Sequence, residues 1–284
     1  MDINARTQLC GLLGNPVEHS LSPAIHNAAF QKLGLNFVYL AFKVEDLDGA
    51  IRGIRALGNL RGFSVTIPHK VAVMPFLDEV EQTAKHIGSV NTILVEQGKL
   101  TGYNTDASGA LRALQNGGVA LKGRQVLLVG TGGAARAIAF ALAATKEVGG
   151  LILLGIDEKE RLKLAEDLRE RTKLNVEYGP LTDQTLRNGI KTSQVLIHST
   201  PIGMHPKVDE TCIPSSLLAP HLTVMDIVYN PLETRLLREA KAAGCRTIRG
   251  LEMFLHQAVA QFELWTGQAA PVEVMRSVLE SRFS

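Results

Sequence analysis

Two ionisable residues of this 284-residue chain stand where predicted strands end and a side chain can reach a ligand. Lys70 closes the stretch FSVTIPHK, in which Pro68 cannot donate to a sheet and therefore ends the strand after Thr66 and Ile67. In a parallel α/β sheet the ligand crevice lies outside the carboxyl ends of the strands. A desolvated lysine there can act as an acid or a base. A lone lysine is more often a solvated surface group, so spacing alone leaves both interpretations open.

Asp106, in GYNTDASG, precedes the predicted helix ASGALRALQ. It is either the N-cap of that helix or a carboxylate that orients a charged lysine for proton transfer with a substrate hydroxyl, and the two roles are compatible. Uncharged side chains that can donate hydrogen bonds lie at the ends of other predicted strands and helices. They are Asn91 in SVNT and the two serines of HSLS, Ser20 and Ser22. Ser22 precedes Pro23 and is also a suitable helix cap. Hydroxyl and amide groups of this kind suit a small polyhydroxylated acid.

A glycine-rich turn joins a predicted strand to a predicted helix in VLLVGTGGAARA. Gly130, Gly132 and Gly133 permit unusual backbone angles and a close approach to a ligand, while the positive end of the helix favours an anion. The order of strand, turn and helix predicts binding of a pyrophosphate and hence of a dinucleotide. The pattern is GxGGxxxA instead of a strict GxGxxG, and such turns can also serve packing alone.

The next predicted strand ends in LLGIDEKER, where this fold meets the adenosine ribose. Asp157 can accept hydrogen bonds from both ribose hydroxyls but would repel a 2′-phosphate, which favours NAD. It is equally suited to cap the helix that begins at Glu158. Lys159 and Arg161 are near enough in sequence to pair with a phosphate, so the choice between NAD and NADP stays open.

The elements that must position these groups alternate along the chain. Residues 8–67 show strand, helix, strand, helix, strand, which predicts a mostly parallel α/β sheet covered on both faces. Helical stretches at 70–76 and 80–87 lead to a predicted hairpin, at the edge of this unit, with its turn near Gly98. A second α/β domain follows. The tail, 251–283, predicts two helices without a strand, and we expect them to pack on the N-terminal domain.

The composition indicates which classes of molecule the chain can bind. The 30 basic and 28 acidic residues are mixed and the formal net charge is +2, which predicts neither a nucleic-acid nor a membrane partner and favours a small molecule. Cys10, Cys212 and Cys245 show no paired spacing, as expected for a reducing, cytoplasmic compartment. The histidines show no pairing typical of zinc sites, so no metal is predicted. No export segment and no run of about 18 apolar residues is seen.

Eight stretches, taken together and in order, resemble the shikimate dehydrogenase family. In chain order they are GNPVEHSLSPAIHNAAF, GFSVTIPHK, GSVNTI, GYNTDASG, VLLVGTGGAARAIAFAL, STPIGM, DIVYNPLET and GLEMFLHQAVAQFELWTG. They run from residue 14 to residue 267, nearly the whole chain. The resemblance implies an α/β fold of two domains: a substrate domain at 1–105 plus 250–284, and a Rossmann-like dinucleotide domain at 106–249. It also implies a substrate cleft between them, and C-terminal helices that pack back on the first domain.

The resemblance further implies a reaction and a set of site residues. The reaction is the reversible reduction of 3-dehydroshikimate to shikimate by a nicotinamide hydride, in aromatic amino-acid biosynthesis, by a monomer or homodimer. Lys70 and Asp106 would form the catalytic pair, and His69 is not expected to take part. The substrate would bind at Ser20, Ser22, Thr66, Asn91, Tyr229 and Gln257. The dinucleotide would bind at Gly130, Thr131, Gly132, Gly133, Ala134, Thr200, Ile227 and Gly250, with Asp157 at the ribose.

The chain departs from the family pattern at the cofactor. Many members that use NADP end the second strand of the cofactor domain with Asn-Arg-Thr, whereas the matching residues here are Gly155, Ile156 and Asp157. The missing arginine weakens the NADP default and favours NAD. Relatives with relaxed cofactor choice often accept quinate, so a quinate/shikimate dehydrogenase is one alternative. A non-catalytic dinucleotide or metabolite sensor on the same fold is another, although a sensor need not keep Lys70 and Asp106.

Overall fold

The computed structural model describes residues 3–282, which form two compact units. The first contains the residues up to Thr105 together with those from Gln257 onward, and the second contains Asp106–His256. The predicted α/β class and the return of the C-terminal helices to the first unit are confirmed. The outer ends of the predicted first domain, at residues 1 and 284, lie outside the described residues.

Each unit contains one sheet with its helices. The first begins with β1 (Gln8–Gly14), α1 (Ser22–Lys32), β2 (Phe37–Lys43), α2 (Leu47–Ala56), β3 (Leu60–Val65), α3 (His69–Ala72), β4 (Glu79–Val80), α4 (Gln82–Ile87), β5 (Thr92–Glu96) and β6 (Lys99–Tyr103). Helix α5 (Thr105–Asn116) leads into the second, which contains β7 (Gln125–Val129), α6 (Gly133–Thr145), β8 (Gly150–Gly155), α7 (Glu158–Arg171), β9 (Val176–Pro180), α8 (Asp183–Thr192), β10 (Val195–His198), β11 (Thr223–Asp226), α9 (Arg235–Ala242) and β12 (Arg246–Ile248). Helix α10 (Gly250–Thr266) leads back to the first unit, and α11 (Val272–Ser281) follows.

The first sheet has the order β2-β1-β3-β5-β6-β4 and is mixed. Strand β1 runs parallel to both of its neighbours, while β5 runs antiparallel to β3 and β6. The predicted hairpin is present, and its two turn residues, Gln97 and Gly98, both have positive φ, as a tight hairpin of twisted strands requires. It does not form the sheet edge, because residues 79–80 form β4 beyond it. The helix predicted at 80–87 starts two residues later, at Gln82, because the Glu81 side chain caps α4 there.

Trp265 of α10 lies in the centre of the first unit and is fully buried. Its indole Nε1 donates to the carbonyl of Ile93 at 3.0 Å, and its own carbonyl accepts from Nε of Arg61 at 2.7 Å. A Cβ at Gly62 would lie 2.1 Å from the indole nitrogen, so glycine alone fits beside this ring. His26 also contacts the indole, at 5.2 Å between ring centroids, and burial lowers the pKa of His26 to about 3. Helix α10 thus completes the core beside the N-terminal sheet.

The second sheet is parallel throughout, in the order β12-β11-β10-β7-β8-β9. Its four central strands, β11, β10, β7 and β8, are mostly apolar and buried, as expected for a sheet covered by helices, whereas most residues of the edge strands β9 and β12 are exposed or half-buried. The chain reverses its winding direction between β7 and β10, and sheets of this type bind ligands at that switch point, outside the carboxyl ends of the strands. Within residues 3–282, no helix is long and apolar enough to cross a bilayer.

Candidate functional site

Of the three glycines in the turn after β7, Gly130 has the unusual backbone angle that the sequence predicted, whereas Gly132 has an ordinary φ of −71°. Gly130 has a φ of +115°, and its amide donates to the carbonyl of Leu154 at 2.8 Å. A Cβ at Gly130 would lie 2.7 Å from the carbonyl oxygen of Ser199, whereas one at Gly132 or Gly133 would meet nothing within 4 Å. Gly132 is the N-cap of α6 and has no side chain with which to satisfy the first helical amides. The turn therefore leaves room for an anion at the start of a 13-residue helix.

Gly130→Ala tests whether this turn tolerates a side chain. We expect it to lower the free energy of unfolding of the second unit by about 1–3 kcal/mol, because the new Cβ meets backbone and φ is left-handed. Gly133→Ala is the matched control, with a helical backbone and open space, and should leave stability unchanged. Thermal unfolding followed by circular dichroism measures both. Equal stability of the two variants would contradict the close approach.

Thr131, a predicted cofactor residue of the turn, packs on the end of β8. A Cβ at Gly155 would lie 2.4 Å from the Thr131 methyl group, so the absence of a side chain at Gly155 lets the turn approach this strand. The Thr131 hydroxyl donates to the Glu160 carboxylate at 3.3 Å. Ala134 is half-buried in the first turn of α6. The ends of β7 and β8 thus form one surface.

Asp157 is the N-cap of α7, as one of its two interpretations predicts. Its Oδ1 accepts from the amide of Glu160 at 2.8 Å, which leaves the second carboxylate oxygen outside this cap. Arg161 is buried and donates from its guanidinium to the carbonyl of Gly155 at 2.8 Å, so it is bound to the strand end. Lys159 is exposed.

Three residues predicted to bind the dinucleotide, Thr200, Ile227 and Gly250, follow β10, β11 and β12. Sequence reasoning missed His198, which connects two of them. The Ile227 amide donates to the carbonyl of His198 at 3.0 Å, and the Thr200 hydroxyl is hydrogen-bonded to Nε2 of the same residue. A Cβ at Gly250 would lie 2.4 Å from the Ile227 carbonyl oxygen, so α10 starts directly against this loop.

His198 and Asp226 form a buried pair at the ends of adjacent parallel strands, where they stand in register. Their side chains are 2% and 0% exposed, and Nδ1 of His198 lies 2.9 Å from Oδ1 of Asp226. The other carboxylate oxygen accepts from the Thr234 hydroxyl at 2.6 Å, and the Val228 amide donates to Oδ1 at 3.1 Å. Burial lowers the pKa of His198, but hydrogen bonds to Asp226 and Cys212 outweigh it and raise that pKa to about 9. The carboxylate therefore favours the protonated form of the imidazole.

In the first unit, Asn91 is buried and fixes the start of α5. Its Oδ1 accepts from the Thr105 amide at 2.7 Å, and its Nδ2 donates to the Thr105 hydroxyl at 3.0 Å. The same Oδ1 accepts from the Thr92 hydroxyl at 2.8 Å. Asn91 therefore holds the residue that immediately precedes Asp106.

A chain of buried hydrogen bonds, which the sequence did not reveal, continues from this asparagine. Nε2 of Gln261 donates to the Thr92 hydroxyl at 2.9 Å, and Oε1 of Gln261 accepts from Ser64 at 2.9 Å. Ser64 in turn accepts from the Tyr39 hydroxyl at 2.7 Å. Burial raises the pKa of Tyr39, and hydrogen bonds to Ser64 and Ser22 oppose that rise. The chain thus extends from Tyr39 to Asn91, which is one of the predicted substrate residues.

Strand β3 ends at Val65, two residues earlier than predicted. The Thr66 amide still bonds to the Leu13 carbonyl at 2.9 Å, but the Thr66 carbonyl accepts from His69, which makes a turn before α3. His69 donates from Nε2 to the carbonyl of Val44 at 2.9 Å and is buried. Lys70 is half-buried in the first turn of α3.

Two helix starts differ from the capping alternatives. The N-cap of α1 is Leu21, which makes no side-chain cap, so Ser22 is the first helical residue and its amide bonds to Oγ of Ser20 at 3.2 Å. Helix α5 begins at Thr105, which puts Asp106 inside the first turn and not at the cap. Ser22 is therefore not the N-cap of α1, and Asp106 is the second residue of α5.

The remaining predicted substrate residues lie on or beside α10. The Tyr229 ring stacks on Phe254 with 4.7 Å between centroids, and burial raises the pKa of Tyr229. Gln257 lies on α10 and is buried. Across residues 3–282, no group of three or more His, Cys, Asp or Glu side chains is arranged to hold a metal ion.

Two stretches of the chain match family models of known proteins. Residues 12–93 match the model of the shikimate dehydrogenase substrate binding domain, and residues 250–280 match that of the shikimate 5'-dehydrogenase C-terminal domain. The chain is 46% identical to shikimate dehydrogenase (NADP(+)) of Desulforamulus reducens over 99% of its length and 97% of that protein.

Two solved structures extend the similarity to the fold. The shikimate 5-dehydrogenase of Listeria monocytogenes in complex with shikimate and NAD superposes with a TM-score of 0.93 at 38% identity, covering 98% of each chain. The quinate dehydrogenase of Corynebacterium glutamicum in complex with NAD gives 0.90 at 34% identity, covering 97% of this chain and 99% of that one.

Proposed function

The chain belongs to the shikimate dehydrogenase family, and we propose as its function the reversible, nicotinamide-dependent reduction of 3-dehydroshikimate to shikimate. The observation that carries this proposal is similarity over almost the whole length to relatives named for that reaction. Such an enzyme is an oxidoreductase acting on a CH–OH group. The sensor alternative is disfavoured because Lys70 and Asp106 are both present.

The glycine-rich turn fits the dinucleotide that this reaction requires. Open space beside Gly132 and Gly133, and the uncapped start of α6, support a pyrophosphate held by backbone amides. Thr200, Ile227 and Gly250 would lie at the nicotinamide end. When bound, the dinucleotide supplies or accepts the hydride.

Lys70 and Asp106 would perform the acid–base chemistry. In the reductive direction negative charge develops on the carbonyl oxygen of the substrate, and the Lys70 ammonium stabilises that charge and donates a proton from Nζ. Asp106 orients the lysine and the resulting hydroxyl. Hydroxyl and amide donors, Ser20, Ser22 and Asn91 among them, would hold the carboxylate and the ring hydroxyls, and the buried bonds of Asn91 support such a fixed donor.

The proposed function is tested by following nicotinamide absorbance with shikimate and either NAD or NADP. We expect absorbance to rise with at least one dinucleotide, and to fall when 3-dehydroshikimate is added to the reduced form. Binding of a dinucleotide without turnover on either substrate would reject the enzyme in favour of the sensor.

The preference between dinucleotides is the finer part of this proposal. We propose that the chain uses NAD better than NADP, because the Asp157 carboxylate repels a 2′-phosphate and Arg161 is bound to the Gly155 carbonyl. Asp157→Ser keeps an N-cap but removes the charge. We expect it to raise kcat/KM for NADP about tenfold, the effect of relieving ~1.4 kcal/mol of repulsion. It should lower kcat/KM for NAD, because serine cannot accept from both ribose hydroxyls as the carboxylate does.

Asp183→Ser is the matched control, since Asp183 is an exposed carboxylate in the first turn of α8 and should not affect either kcat/KM. A clear NADP preference of the unmodified protein, unchanged in Asp157→Ser, would contradict the role of Asp157. It would indicate that Lys159 or another group binds the phosphate.

Quinate is the second candidate substrate, supported by the structural similarity to an NAD-bound quinate dehydrogenase. Comparing kcat/KM for quinate and shikimate decides between a specific and a relaxed enzyme. We further propose a cytoplasmic protein, in keeping with its three free cysteines, that acts as a monomer or homodimer. Analytical ultracentrifugation distinguishes those two states.

A further inference from the structure

The buried His198–Asp226 pair lies directly beneath the residues assigned to the nicotinamide end. The Ile227 amide bonds to the His198 carbonyl, and Thr200 bonds to the imidazole. Asp226 is held from a third element, because Thr234, the N-cap of α9, donates to its second oxygen. Four side chains, Thr234, Asp226, His198 and Thr200, thus form one hydrogen-bonded row that ends at a half-buried hydroxyl.

The donors and acceptors in this row determine whether the Thr200 hydroxyl can donate a hydrogen bond to a ligand. Asp226 accepts from Nδ1–H of His198, so Nε2 of the imidazole faces Thr200. When the ring is charged, Nε2 carries a proton and must donate. The Thr200 oxygen then accepts from Nε2 and from the Ile202 amide at 3.2 Å, and its own hydrogen remains for a third partner.

A neutral ring reverses this polarity. With the proton kept on Nδ1 by Asp226, Nε2 becomes an acceptor, and the Thr200 hydrogen turns inward to it. The hydroxyl could then only accept from a ligand. The charge of one buried histidine therefore selects whether Thr200 is a donor or an acceptor.

We propose that His198 is a positioning residue for the dinucleotide: held by Asp226, it donates to Thr200 and so turns the Thr200 hydroxyl hydrogen toward an oxygen atom at the nicotinamide end. This inference rests on the proposed function, because it needs a dinucleotide beside Thr200. It concerns affinity and orientation and assigns no proton transfer with the substrate to His198.

The proposed role requires a protonated His198, and the groups around its imidazole favour that state. The groups that face the imidazole are the Asp226 carboxylate, from β11, and the Cys212 side chain, from the loop after β10. Burial lowers the pKa of His198, but these groups outweigh it and bring that pKa to about 9. Thr200 is thus a donor at neutral pH and loses this role as the pH rises through about 9, so affinity should fall over the same interval.

The test is a titration of the unmodified protein with NADH and with NADPH between pH 7 and pH 10, without shikimate, followed by reduced-nicotinamide fluorescence. We expect affinity for the preferred dinucleotide to fall on the order of fivefold, the equivalent of one hydrogen bond. Thr200→Ser retains the hydroxyl and should retain this fall. Thr200→Val should bind on the order of fivefold more weakly at pH 7 and show no such fall.

His198→Asn keeps an N–H for Asp226 but is too short to reach Thr200, so it should also bind more weakly and without the pH-dependent fall. The double variant His198→Asn/Thr200→Val should be no weaker than either single variant, because both remove the same interaction. His221→Asn is the control, an exposed histidine of the same unit that should change nothing. Thermal unfolding at each pH verifies that every variant is folded.

Two outcomes overturn the inference separately from the proposed function. If the unmodified protein binds a dinucleotide with affinity independent of pH, or if Thr200→Val keeps the pH-dependent fall, His198 does not set the polarity of Thr200. If the unmodified protein binds neither dinucleotide, the proposed function fails and this inference fails with it.

Discussion

Lys70→Ala is expected to lower kcat by on the order of a hundredfold or more, with a smaller change in the KM for shikimate. Loss of a general acid or base that acts on the reacting oxygen has an effect of this size, because the interaction strengthens in the transition state. The half-buried position in the first turn of α3, after the turn that follows β3, supports a side chain held at the strand end. Steady-state rates at saturating dinucleotide measure the change.

Lys85→Ala is the matched control, since Lys85 is an exposed lysine of α4 in the same unit and should leave kcat unchanged. Dinucleotide binding by Lys70→Ala should also be unchanged, because the cofactor residues lie in the other unit. Near-normal kcat in Lys70→Ala would reject the catalytic role and return Lys70 to the class of ordinary surface lysines.

Gly62→Ala should produce the largest loss of stability, about 3 kcal/mol in the free energy of unfolding of the first unit. The added Cβ would lie 2.1 Å from Nε1 and 2.2 Å from Cδ1 of Trp265, so the buried ring must move. Overpacking of a core costs about 1–3 kcal/mol, and moving the ring also breaks its bond to the Ile93 carbonyl, worth about 1 kcal/mol. Trp265 is the only tryptophan of the sequence, so its fluorescence during urea unfolding reports on this unit directly.

The control for that change is Gly53→Ala, in the middle of α2, where an added Cβ meets nothing within 4 Å. Alanine is the better helix former, so this variant should be as stable as the unmodified protein or more stable by up to about 1 kcal/mol. A Gly62→Ala protein as stable as Gly53→Ala would show that the indole does not fill the space beside β3.

The local signals in the sequence predicted much of this molecule because their causes are local. The spacing of hydrophobic residues along the sequence predicts the alternation of strands and helices. The glycine pattern between a strand and a helix predicts the turn at Gly130. The helix starts near Ser22 and Asp106 were less predictable. Ser22 is the first residue of α1 and Asp106 is the second residue of α5, since backbone hydrogen bonds, and not the residue type, decide where the first turn closes.

The contacts that tie the site residues together were beyond pattern reasoning. Gln261 bonds to Thr92 from 169 positions away, and His198 meets Asp226 only because β10 and β11 pair in a particular register. A polar residue at the end of each of two apolar strands, in VLIHST and VMDIVY, is the signal that could have suggested the pair. Whether two such ends stand side by side depends on strand order, which the one-dimensional pattern does not contain.

The first unit is assembled from both ends of the described chain, and this affects how it is made on the ribosome. Ser64 and Arg61 find their partners in Gln261 and Trp265, 197 and 204 positions later. At a synthesis rate of roughly 5–20 residues per second, that delay is on the order of ten to forty seconds. During it the N-terminal sheet lacks its central indole while the second unit emerges complete. We therefore expect the second unit, Asp106–His256, to fold first on the nascent chain. The N-terminal segment should be the part that chaperones protect.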